Sequence, residues 1–148
     1  MNRRKEILQR FQTILSAVDG IAGVTFRMSH YDECRGFPWL MIFSGAGSGT
    51  AEFETPESWT DSLNVIVRGW VKETSAQPAV MEMEDVIEKI RKAVIDDFSS
   101  GAVGSLGAMN IILSPGDIQE TDSGVLSDVG MAYFELQFPV RILDYRFD

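Results

Sequence analysis

The residue types best suited to chemistry in this 148-residue chain stand close together: the one histidine and the one cysteine fall in the run His30, Asp32, Glu33 and Cys34. Imidazole, thiol and carboxylate could in principle hold a metal or activate a nucleophile. With one His and one Cys, however, a triad or a closed zinc site would have to draw every such residue from this single stretch, and it reads as a polar loop. The glycines of Gly45-Ala46-Gly47-Ser48-Gly49-Thr50 follow an apolar run, as a phosphate-binding loop would. They fail on detail. A dinucleotide fingerprint needs Gly where Thr50 stands and then a helix, whereas Glu52, Glu54, Pro56 and Glu57 follow, and a P-loop needs a Lys that is absent. Asp117, Glu120, Asp122 and Asp128 lack the spacing and central Gly of a calcium loop. The sequence therefore implies no catalytic, metal or cofactor-binding residue. Trp39, Trp59 and Trp70 suit core or subunit packing better than stacking on bases, and Met81 and Met83 suit core or interface filling.

A formal net charge of −9 argues against duplex binding, which depends on clustered Lys and Arg that displace counterions. The charge is uneven. Arg3, Arg4, Lys5 and Arg10 make the amino end basic, while acids dominate Glu52 to Asp61 and Asp117 to Asp128. A single cysteine excludes an intrachain disulfide and fits a reducing compartment. No run resembles a signal peptide or a bilayer span, so the expectation is a soluble protein made in the cytosol, with no membrane contact.

The element that must position everything else is a helix from about Val80 to Phe98. Met83, Val86, Ile87, Ile90, Val94 and Phe98 recur three and four residues apart, opposite Glu84, Asp85, Glu88, Lys89 and Lys92. Gly101 ends it, Thr74 or Ser75 is its expected cap, and Asp85 with Lys89 and Glu88 with Lys92 are its expected charge pairs. Ile7, Leu8, Phe11, Ile14, Leu15 and Val18 mark an earlier amphipathic helix closed by Asp19-Gly20. Strands are expected at Val24–Met28, Trp39–Phe43, Trp59–Val71 and Met109–Leu113, with Ile118–Thr121 a further pairing segment and Asp122 to Gly130 a polar loop. The clearest strand is the last, where Ala132, Phe134, Leu136, Phe138, Val140 and Ile142 alternate with more polar neighbours. Pro139 within it calls for an edge or a bulge. The order implies an α+β single domain over residues 1–148, with a mainly antiparallel mixed sheet and two helices packed on one face.

This order resembles the phage tail terminators, the minor tail protein U-like and related tail-completion families. The resemblance runs through the first helix ending at Asp19-Gly20-Ile21-Ala22-Gly23-Val24, the strand Pro38-Trp39-Leu40-Met41-Ile42 and the strand Leu63-Asn64-Val65-Ile66-Val67 that enters the central helix. It closes on Phe134-Glu135-Leu136-Gln137-Phe138-Pro139-Val140. It implies a structural virion-tail protein and no enzyme: a hexameric ring of copies that caps the tail tube, stops its polymerisation and offers the surface to which the filled head docks. The implied partners are the chain itself, the tail tube protein and a head-completion or connector protein, with DNA passing through the ring but not specifically bound. Arg3, Arg4, Arg10, Trp59, Arg68, Trp70 and Arg141 are the candidate subunit or tube contacts, the basic helix facing acidic loops across a subunit boundary. Another head-tail connector position is the alternative reading, and a small-ligand domain using Gly45–Thr50 a further one. The structural reading predicts a flat calorimetric titration with nucleotides; saturable binding abolished by Gly47→Val is what the ligand-binding reading expects instead.

Overall fold

The computed structural model describes residues 2–45, 51–53 and 59–145, with the backbone alone at 51–53, 59, 144 and 145. In chain order the elements are α1 (Arg3–Ser16), β1 (Gly23–Thr25), β2 (Trp39–Ser44), β3 (Ala51–Phe53), β4 (Trp59–Lys72), α2 (Ala79–Ser100), β5 (Ile111–Ile112), β6 (Gln119–Leu126) and β7 (Met131–Tyr145). They make one mixed sheet ordered β1-β2-β4-β7-β5, with β3 also paired to β4 and β6 also paired to β7. Among the described residues, only the β1–β2 pair is parallel. This is the α+β architecture expected from the sequence.

The two long strands form the middle of the sheet, paired from Trp59 with Tyr145 to Lys72 with Met131. At about 3.4 Å per residue each spans roughly 48 Å. Each is flanked by an interrupted strand: β2 then β3 along β4, and β5 then β6 along β7. On one face Leu63, Val65, Val67 and Val71 meet Phe134, Leu136, Phe138, Val140 and Ile142, and both helices lie on that face. Helix α1 contributes Ile7, Phe11, Ile14 and Leu15, and α2 contributes Met83, Val86, Ile87, Ile90 and Val94. Phe11 and Phe138 meet edge to face with ring centroids 5.3 Å apart. Gly69 lies where any side chain would collide: a Cβ there would stand 2.4 Å from the Phe134 ring.

Several boundaries differ from the sequence reading. Gly101 ends α2 at φ +63°, as expected, but Pro78 takes the N-cap position. The Thr74 hydroxyl instead accepts from the Ala76 and Gln77 N–H groups and closes the preceding turn. Asp85 accepts from the Gln77 amide at 2.8 Å and Lys92 pairs with Asp96 at 2.6 Å, so side chains outside the expected pairs reach these charges first. Pairing stops at Thr25, leaving Phe26 and Met28 exposed. Residues 106–108 wind into a 3-10 turn that shortens the next strand to Ile111–Ile112. The largest correction is β6 (Gln119–Leu126), a strand with one bulge that runs through most of the expected loop. The β7 edge supplies the partner that pulls Asp122 and Ser123 into the ladder, Thr121 being the extra residue of a bulge, and Gly124 makes room for the Tyr133 ring.

Pro139 sits at a local edge. The Asn64 carbonyl accepts from the Gly45 N–H at 3.0 Å, so its backbone groups face β2. Its opposite number Pro139 therefore forms a non-hydrogen-bonded pair with it, and the missing N–H points into the gap between β5 and β6.

The helix layer is tied by charge as well as by apolar contact. Arg10 donates through two nitrogens to Asp97, whose carboxylate also accepts the Leu106 N–H at 2.8 Å. Burial alone would raise the Asp97 carboxyl, but the hydrogen bonds from Arg10 and Leu106 and the guanidinium charge outweigh it, leaving the group below the usual carboxylate range. The native state therefore holds Asp97 ionised more strongly than the unfolded chain does. That stabilisation is complete above the unfolded value near ~4 and is lost as pH falls through the lower folded one. Among the described residues, no helix is long and apolar enough to cross a membrane. Asp97→Asn is expected to lower stability by about 1.5–3 kcal/mol at neutral pH in urea denaturation, the gap to the parent closing as pH falls below ~4.

Candidate functional site

The face of the sheet away from the helices carries most of the polar and aromatic groups singled out in the sequence. The connection from β1 to β2 crosses this outer face and covers one end of it. The Trp70 indole N–H donates to the Ser29 carbonyl at 2.9 Å, and its ring meets those of His30, Tyr31 and Tyr133 at 5.5–5.9 Å. Trp70 is thus engaged within the chain. Trp39 stands beside it across the β2–β4 pair, its ring over Gly23.

His30, Asp32, Glu33 and Cys34 are brought together by a 3-10 turn at Tyr31–Glu33. The His30 ring Nδ1 is 2.7 Å from Asp32, the Glu33 side chain accepts the His30 N–H at 3.0 Å, and the His30 carbonyl accepts the Glu33 N–H. The turn uses these groups to cap itself. Burial pushes the Cys34 thiol up, and the charges of Glu33 and Asp32 push it further, which is the opposite of an activated thiolate. Among the described residues, no group of three or more His, Cys, Asp or Glu side chains is placed to hold a metal ion. Of the Gly45–Thr50 loop, residues 46–50 lie outside the described residues.

The candidate arginines separate into three places. On α1, Arg3 pairs with Glu6 at 2.9 Å and Arg10 with Asp97, and Arg4 donates to Asp61 at 3.0 Å and to the Ser62 carbonyl at 2.9 Å. Each has an acid of its own chain. On the outer face Arg68 donates to Glu135 at 2.7 Å, with its guanidinium 5.5 Å from the centre of the Phe43 ring. Glu135 also accepts the Thr121 hydroxyl, so a polar chain runs from β4 through β7 to β6. Burial raises the Glu135 carboxyl, but the hydrogen bonds from Thr121 and Arg68 prevail and hold it below its ordinary value. Arg141 is exposed and lines a groove of about 410 Å³ at the Pro139 gap, beside Asp117, Gln119 and the hydrogen-bonded amides of Asn64 and Gln137. Trp59 opens β4, its backbone paired with Phe53 and Tyr145. The seven candidates therefore do not converge on one site.

What the sequence reading missed is the border formed by β6. Its first five residues are all exposed, and Val125 is 52% exposed. The backbone groups of Gln119, Asp122, Gly124 and Leu126 face β7, because β7 residues of odd number face that way. Those of Glu120, Ser123 and Val125 therefore point outward, along an open edge. The cue in the sequence was the polar run opposite the strongest strand, which has no alternation because neither of its faces is covered.

No protein-family model matches this chain, and a search of curated proteins finds no match. Glu135→Ala is expected to release β6: amide hydrogen exchange should speed up from Gln119 to Leu126, by an amount equivalent to about 1–3 kcal/mol of local stability, and stay unchanged in β2.

Proposed function

We propose that this chain is a structural subunit of a phage or prophage tail, a terminator whose copies form a ring, six in number, on the end of the tail tube. The ring ends tube polymerisation and presents the surface for a head-completion or connector protein, while DNA passes through it. The observation that carries this reading is the β6 edge, an eight-residue strand with outward backbone groups and little cover on either face. Such an edge invites aggregation unless another chain is meant to meet it. The order of elements, which resembles the tail terminators, supports the same reading. A role in assembly also accords with candidate residues dispersed over several faces, since a subunit in a ring touches its two neighbours, the tube and the connector through different surfaces.

The test is tail length in lysates of the parent phage or prophage with this reading frame deleted, measured by electron microscopy. Overlong, headless tails restored to fixed length by the gene are expected. Tails of normal length reject the terminator role; heads and tails that then fail to join point to a connector position.

A further inference from the structure

The strands that flank the central pair are anchored unequally. β2 buries Leu40, Met41 and Ile42, β5 buries Ile111, and Val24 of β1 packs against the core. β6 has no such anchor: none of its eight residues is buried and none joins the core. Among the described residues it pairs with β7 alone. A side-chain tie crosses the pair where the Thr121 hydroxyl donates to Glu135, a carboxylate that Arg68 holds from the other side.

The ends of this segment are better fixed than its middle. Ile118 packs against the core just before β6, and Met131 is buried just after the exposed 3-10 turn Ser127–Val129. Between these pins the ladder bonds to β7 have to offset the entropy of ordering the backbone, with no apolar burial to help. Each ladder bond is exchanged for bonds to water on opening, so its net contribution is small. β7 is in a different position. Its even-numbered residues bond to β4, and Phe134, Leu136 and Phe138 are buried beneath the helices, so it keeps its place when its outer neighbour leaves.

We propose that β6 is a strap that lifts off the β7 edge as a unit while the β4–β7 ladder and the helix layer stay folded, with the Thr121–Glu135 hydrogen bond as its latch. The strap hinges beside Ile118 and at the turn before Met131. Opening bares the backbone groups of Tyr133, Glu135 and Gln137, the odd-numbered residues of β7 that face β6. The central strand thus has one permanent edge, toward β4, and one that opens and closes.

The test is residue-resolved amide hydrogen exchange of the full-length chain, followed by NMR at rising urea concentrations below the unfolding transition. The amides of Asp122, Gly124, Tyr133, Glu135 and Gln137 are expected to share one low protection that urea barely changes, since opening the strap exposes little apolar surface. Those of Ala132, Phe134 and Leu136, bonded to β4, should be protected about a hundredfold or more above them and lose protection steeply with urea. Thr121→Val, which keeps the shape and removes the hydroxyl, should lower protection in the first set about tenfold and leave the second unchanged, while Thr121→Ser should retain the parent's values. Equal protection of odd and even β7 amides overturns the proposal, because β6 then opens only with the core. Exchange of β6 amides without those of Tyr133, Glu135 and Gln137 overturns it as well, as does a Thr121→Val variant indistinguishable from the parent.

Discussion

Everything in this fold depends on the ladder between β4 and β7. It is the longest pairing in the molecule, and its inner face supplies the aliphatic and aromatic surface on which both helices lie. Packing on that face is close enough that Gly69 is required beneath Phe134. The flanking strands are all shorter, and each follows one of the two long strands for only part of its length. The centre is thus over-determined by burial and hydrogen bonding together, while the borders are held by backbone pairing and a few polar ties. Contacts with other chains are cheapest to build at such borders, because they leave the core untouched.

The parts legible in the sequence are those with one buried and one wet face. α2, β4 and β7 announce themselves by period because burial imposes the period, and Pro139, which calls for an edge or a bulge, lies where its missing donor faces the gap between β5 and β6. β6 was silent for the same reason in reverse: with neither face covered, nothing selects an alternation, and its place comes from the β7 edge alone. The run through Phe26 and Met28 misled in the other direction, since it alternates like a strand yet extends past the last paired residue.

The charged side chains were harder to read than the apolar ones. Arg4 finds Asp61 and Arg10 finds Asp97 across distant parts of the chain, and no local spacing signals which acid will answer which base. The sequence shows a basic amino end; the fold brings acids to it. Likewise the cluster around Cys34 is a cluster in space as well as in sequence, but its groups are already committed to each other as donors and acceptors. Proximity in sequence identified the right neighbours and left their roles open.

Pro139 has one further consequence, for errors in folding. If β7 slipped by one residue against β4, its odd-numbered backbone groups would turn toward β4, and position 139 would meet Val65 as a bonded pair with no hydrogen to give. The same slip would carry Phe134, Leu136 and Phe138 to the wet side of the sheet. A single ring therefore acts as a register lock: it is silent in the correct alignment, and it adds a lost ladder bond to the burial penalty in the nearest wrong one.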